Sequence, residues 1–430
     1  MSPEGIYTIE RKTMKKILMI AHQFPPVGGS GVQRTVKFVK YLRDFGFEPV
    51  VLTREATKAS LKDETLLSDI PEGIEVIRTD AWDFAAMPGF LKLFGKVINK
   101  LLIPDSERVW QHMARRQALR AVKQHGIDII YTTSAPYSDH LLGVYLKKHY
   151  PEIPLVCDFR DEWTNNPYHV RKGLRARIER SQEKMVLEYA DQLITNTPVM
   201  LSNFLRDNPE TRDKFQVIPN GYDEEDFEGI KNLQPENDKF TLTYTGLLYG
   251  RRKPDNFFEA LKRAIDKGSI DSTKIAVKLI GNFKTELLQS KIDSFGLMGI
   301  VHLMPYMKHR ECLVQLLKSD ALLLIEPSGP GAEAFYTGKV FEYMNTGRPI
   351  LATVPGNGAA AQLVADTGTG LVSDFNDIEK TSDNLTYMYN NWLNKASSLS
   401  PDQSKVAKFE RKELTKSLAN VFKKALKMVE

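Results

Sequence analysis

The stretch LLLIEPSGPGAEAFYTGKVFEYMNTGRPILAT, residues 322–353, decides how the rest of the chain is read. Its unbroken apolar run ahead of a Gly/Pro-rich loop reads as a strand buried on both faces. A short helix opens at 337–339, and Gly347, Arg348 and Pro349 end it before a second strand, PILATV (349–354). Strand, loop, helix and strand in this order form the unit of a doubly wound α/β sheet, where ligands bind beyond the carboxyl ends of the strands. The helix start offers unpaired N–H groups and Lys339 a positive charge, which suits an anion. Glu342, one turn further on, can accept hydrogen bonds from a sugar diol. An ordinary capped αβ connection accounts for the same residues.

The same alternation extends in both directions. Upstream of this stretch, FTLTYTG (240–246), IAVKLIG (275–281), IVHLMPY (300–306) and ALLLIEP (321–327) read as strands, and GLVS (370–373) follows it. A helix with Pro254 in its first turn covers 254–266. The first half repeats the pattern with KILMIAH (16–22), FEPVVLT (47–53), IEVIRTD (74–80), IDIIYTTS (127–134), PLVCDFRD (154–161), QLITNT (192–197) and KFQVIPNGYD (214–223). In the helix after the first strand, Val32, Val36, Val39 and Leu42 share the apolar face, leaving Arg34, Lys37, Lys40 and Arg43 for more polar faces. Residues 224–239 are charged and poor in large apolar side chains, which reads as a linker. The expectation is an α/β protein with two Rossmann-like domains, 14–223 and 240–385, and a cleft between them. The basic segment 386–430 reads as helical.

With 430 residues the chain is long enough for two sizeable cores, and 42% hydrophobic content fits a globular protein. The net charge of +5 is too small to indicate a nucleic-acid partner. Cys157 and Cys312 are far apart in apolar-rich segments, which argues for a reducing compartment and against a disulfide or zinc framework. No apolar run approaches the roughly 20 residues that span a bilayer. Residues 1–13 are polar and Met14 reads as a natural start, so the fold is expected to begin there. The expected location is cytoplasmic, with a peripheral site on the inner face of the membrane as one option. That option rests on MPGFLKLFGKVINKLLI (87–103), where Lys92, Lys96 and Lys100 form one stripe beside an apolar face. Such a helix suits an anionic membrane surface; packing of its apolar face on its own domain is the alternative.

Candidate chemistry collects in four loops. Gly28 and Gly29 lead into Gly31–Val32–Gln33–Arg34, which departs from the dinucleotide fingerprint because Arg34 stands at the third glycine and the loop is too long. A glycine loop at a helix start can still approach a phosphate, or it can be a plain tight turn. Gly246 ends a strand before Arg251, Arg252 and Lys253, three cations that either neutralise a diphosphate or form a solvated cluster. In the first half, His140, Arg160 and Asp161 follow strands and reach the sheet edge; His140 reads equally as a surface histidine, and Arg160 with Asp161 as a simple ion pair. No Asp-x-Asp triplet occurs, so no metal ligand set and no cofactor are expected, and cationic side chains would carry the charge.

These residues together resemble the retaining glycosyltransferases of family four, with the GT-B fold. The resemblance covers nearly the whole chain through FPPVGGSGVQR (24–34), TSAPYSDHLLG (133–143), DFRDEW (158–163), VIPNGYD (217–223), YTGLLYGRRKP (244–254) and TGKVFEYMNTGRPILA (337–352). It implies that Glu342 binds the ribose of a nucleotide-sugar donor, that Arg251 or Arg252 with Lys253 holds phosphate, and that Gly28 and Gly29 lie beside the diphosphate. It also implies a C-terminal helix that crosses back to the first domain. Two positions depart from the pattern. The glutamate expected eight positions before Glu342 falls on Ala334, with Glu333 just before it. Arg160 stands where many members carry a histidine, so that role passes to Arg160, Asp161 or His140.

The resemblance implies transfer of a hexose-type sugar from a nucleotide-sugar donor to a hydroxyl of a glycan or lipid-linked acceptor, with retention. A nucleotide-sugar epimerase of the same architecture and a non-catalytic glycosyltransferase-like subunit are the alternatives.

Overall fold

The computed structural model describes residues 14–57, 60, 62–80, 101–396 and 399–428. The segment read as a membrane-facing helix, 87–103, falls almost entirely outside them. Thirteen described strands form two sheets. The first holds β1 (Lys15–Ile20), β2 (Phe47–Arg54), β3 (Glu75–Thr79), β4 (Ile129–Ser134), β5 (Leu155–Phe159), β6 (Gln192–Thr195) and β7 (Phe215–Val217) in the order β3-β2-β1-β4-β5-β6-β7. The second holds β8 (Phe240–Thr245), β9 (Ile275–Ile280), β10 (Val301–Met304), β11 (Ala321–Ile325), β12 (Ile350–Val354) and β13 (Gly370–Asp374) in the order β10-β9-β8-β11-β12-β13. The registers of β1 with β2 and β4, and of β8 with β9 and β11, are parallel. Both sheets are therefore doubly wound, and their strand order reverses beside β1 and β8 respectively.

The central strands form because their residues lose water on both faces. Every residue of β4, β8 and β11 is buried. Each fully enclosed leucine of Leu322–Leu324 contributes about 2 kcal/mol of burial. Helices complete the layers: Val32, Val36 and Val39 of helix Ser30–Tyr41 are buried, as are Phe257, Phe258 and Leu261 of helix Asp255–Asp266. Neither Cys157 nor Cys312 is in a disulfide.

Two compact units result. The first groups Met1–Arg160, Gly173–Ile194 and Thr415–Glu430; the second groups Asp161–Lys172 and Thr195–Leu414. In the first, the Phe422 ring meets Phe47 edge-on with centroids 5.4 Å apart and Tyr131 at 5.9 Å. Residues 224–239 are not a free linker. Phe227 is buried in an apolar cluster with Leu313 and Phe341 of the second unit, and Ile230 and Leu233 pack on it. These three apolar side chains anchor an otherwise charged segment.

Two side chains assigned to polar faces are also placed differently. Arg34 and Lys37 are almost completely buried, Arg34 against Asp158 and Lys37 against Asp69. A charge is enclosed at that depth only when a partner meets it. Among the described residues no helix is long and apolar enough to cross a membrane.

Candidate functional site

In the second unit the site assembles at the carboxyl ends of β8 and β11, where the strand order reverses. Gly246 follows β8 with φ 117°, and a Cβ there would lie 2.8 Å from the Lys339 ammonium. That positive φ favours glycine, whereas the flexible end of Lys339 could shift away from a Cβ. Lys339 opens helix Lys339–Thr346 and donates to the Tyr244 hydroxyl at 3.0 Å, with its ammonium 4.2 Å from the centre of the Tyr244 ring. Burial brings the Lys339 ammonium down to about 7; Arg252 pushes the same way, and Glu326 and Glu342 oppose. At neutral pH the lysine is thus poised between charged and neutral, and an anion beside it would restore the charge.

The three cations expected to act together separate. Arg252 is buried and donates to Glu326 Oε2 at 2.9 Å. Glu326 Oε1 accepts from the Thr337 backbone N–H at 2.9 Å and from its hydroxyl at 2.6 Å. This carboxylate ties the loop after β8 to the start of helix Lys339–Thr346. Arg251 donates to the carbonyls of Ser328 and Pro330, while Ser328 donates back to the Arg251 carbonyl, so Arg251 clasps the loop after β11. Lys253 is exposed and borders a pocket of 420 Å³ that Leu248, Tyr249, Phe283 and Lys284 also line. That volume lies within the range of small-molecule sites.

Glu342 accepts from His309 Nε2 at 2.8 Å. Ala334 is buried and its carbonyl accepts from Thr197 Oγ1 at 2.9 Å, whereas Glu333 on the same short turn (Ala332–Ala334) is half-buried. A carboxylate at position 334 would be enclosed, so Glu333 is the acid of this turn that retains contact with solvent.

In the first unit Gly29 caps helix Ser30–Tyr41 with φ 116°, and a Cβ on Gly28 would lie 2.8 Å from Asp63 Cβ. Close packing against the 62–63 backbone therefore requires Gly28 to be glycine. Arg160 donates to the carbonyls of Gly31, Ser134 and Ala135, holding the glycine loop against the end of β4. Asp161 is half-buried and groups with the second unit. His140 is not a surface residue. It is fully enclosed, its Nδ1 lies 2.7 Å from Thr132 Oγ1, and its ring is 4.4 Å from that of Phe159. Burial pushes its pKa down to about 3, so near neutral pH it is an uncharged structural imidazole.

Several residues of these clusters carry no local signal. Glu326 could have been suspected, since a carboxylate directly after an apolar strand is costly unless paired. His309 could not. In the first unit His22, at the end of β1, lies 2.8 Å from Glu107 and edge-on to Trp110. Its backbone N–H donates to Asp139, whose carboxyl burial pushes well above the usual range, with Asp105 and Glu107 adding to the effect. In the same unit Arg34 donates to both oxygens of Asp158, at 2.8 and 3.0 Å, and the Tyr131 hydroxyl donates to it at 2.6 Å. This explains Arg34 in place of a third glycine: its side chain is required across the sheet.

The chain superimposes on a glycosyltransferase from Rickettsia africae ESF-5 with a TM-score of 0.68 and 15% identity, over 97% of this chain and 100% of that one. It also matches Anabaena HepE, solved with UDP and glucose, with a TM-score of 0.64 and 17% identity over 95% and 99% of the two chains. Sucrose-phosphate synthase from Thermosynechococcus elongatus gives 0.67 and 14% over 96% and 100%. The chain has the GT-B fold of glycosyltransferases. Residues 28–226 of this GT-B chain also match the family model described as Glycosyltransferase Family 4. No curated protein sequence matches the chain.

Proposed function

We propose that this GT-B protein is a nucleotide-sugar-dependent glycosyltransferase that moves a hexose-type sugar to a hydroxyl of a glycan or lipid-linked acceptor, with retention. The observation that carries the reading is the cluster of Lys339, Glu342 and Gly246 where the second sheet reverses. Its glycine permits close approach, its lysine supplies charge to a diphosphate, and its carboxylate suits a ribose diol. HepE, a protein of the same fold, was solved with UDP and glucose, which supports a nucleoside diphosphate as the ligand.

The chemistry follows from these side chains. As the sugar–phosphate bond breaks, negative charge grows on the leaving diphosphate. Lys339, Lys253 and the amides opening helix Lys339–Thr346 stabilise it more strongly than they do the intact donor. Arg252 and Glu326 hold Lys339 and the loops in place. In the retaining reaction the acceptor attacks on the face that the diphosphate leaves, and the departing phosphate oxygen takes the acceptor proton. The protein supplies no covalent nucleophile in this scheme. The basic apolar segment 87–103 would bring the enzyme to an anionic membrane, where a lipid-linked acceptor resides; absence of cosedimentation with anionic liposomes would rule that out.

The test is incubation with a panel of nucleotide sugars, with and without membrane extract. Release of nucleoside diphosphate that depends on the extract, with product of retained anomeric configuration, is the expected result. A UDP-GlcNAc 2-epimerase from Methanocaldococcus jannaschii shares the fold with a TM-score of 0.53 and 10% identity over 96% and 100% of the two chains. An altered nucleotide sugar without release would therefore favour epimerisation. Absence of binding to every donor would leave a non-catalytic subunit.

A further inference from the structure

We infer that His309 is a positioning residue that holds the Glu342 carboxylate ready for a ribose diol. The inference rests on the donor-site reading above. The two residues come from separate βα segments: His309 opens helix His309–Leu317 and Glu342 lies one turn into helix Lys339–Thr346. His309 Nε2 stands 2.8 Å from Glu342 Oε1, with 23% of the histidine side chain and 19% of the glutamate side chain exposed. A carboxylate only accepts, so Nε2 is the donor in this contact. The bond takes Oε1 and leaves Oε2 for a ligand.

A purely structural account is incomplete. The two side chains are mostly buried, and the single hydrogen bond between them adds roughly 1–3 kcal/mol to stability. The two helices already have buried anchors in Leu313, Leu316, Val340 and Phe341. The contact also restricts a flexible side chain. An unheld glutamate on a helix surface samples several rotamers and must give up that freedom when a ligand arrives. A glutamate already fixed by an imidazole does not. The histidine thus acts through Glu342 and needs no contact with the sugar nucleotide itself.

The experiment is a calorimetric titration with UDP, GDP and ADP, followed by the 2′,3′-dideoxy form of whichever binds most tightly. The readout is the affinity ratio of the ribo form to the dideoxy form, which a general loss of stability would not alter selectively. The parent protein should favour the ribo form by roughly tenfold, the value of one charge-assisted hydrogen bond. His309→Phe, which keeps a ring but no donor, should reduce that ratio to within about twofold of one. His309→Gln, which returns a donor near the same position, should restore most of it. If His309→Phe keeps the ratio while Glu342→Ala abolishes it, the positioning role is overturned and the donor reading stands. If the parent itself shows no ratio, or binds none of the three nucleotides, the donor reading fails and this inference fails with it.

Discussion

The Arg252 guanidinium donates to Glu326 at 2.9 Å, and the glutamate is completely enclosed. A charge in that position is tolerated only because its partners are in place, so removing one partner is costlier than removing both. Arg252→Met should lower stability by about 3–5 kcal/mol, as for other broken buried pairs. The double variant Arg252→Met, Glu326→Leu should recover much of that loss. Urea unfolding midpoints of the two variants provide the comparison; equal midpoints would mean that the pair contributes nothing specific.

Lys339 links protonation to binding. Its pKa is held at about 7 without ligand, below the usual lysine value, because its charged form is desolvated and faces Arg252. A diphosphate alongside raises that value again. Above pH 7 the lysine must therefore take up a proton as nucleotide binds, and affinity should fall as pH increases. The ligand phosphate, with a pKa of about 6, is already fully ionised at pH 8 and does not obscure the effect. Titrations at pH 8 in two buffers of different ionisation enthalpy should show proton uptake, absent in Lys339→Met. Identical heats in both buffers for the parent protein would contradict the assignment.

His140 gives the stability a pH dependence of its own. Its folded pKa is about 3 against an ordinary value of 6.5, both for the same imidazole. Between those limits the unfolded chain binds a proton that the folded chain refuses, so stability falls as pH decreases from 6.5 toward 3 and is unaffected above 6.5. The difference in urea midpoint between the parent and His140→Gln should therefore change steadily across that window and remain flat above it. A difference independent of pH would show that the imidazole titrates normally in the folded state.

The thirteen strands were legible from residue order because a parallel sheet covered on both faces demands continuous apolar runs. Those runs, such as ALLLI at Ala321–Ile325, are local in sequence. The turn residues were legible too, since Gly246 must adopt a positive φ that other residues avoid. Lys339 and Glu342 could be placed at a helix start by the same local logic. The interactions that define the site could not. Arg252 and Glu326 are 74 residues apart, His309 and Glu342 33, and Arg34 and Asp158 124. Their pairing depends on which strands lie side by side. A charged residue in a loop looks the same in sequence whether it faces solvent or a buried partner. Residue order by itself determined two doubly wound sheets and the edge at which each can bind a ligand. Only the tertiary structure decided which cations remain available there, because burial turned Arg252 into a partner for Glu326 and left Lys339 to respond to an anion.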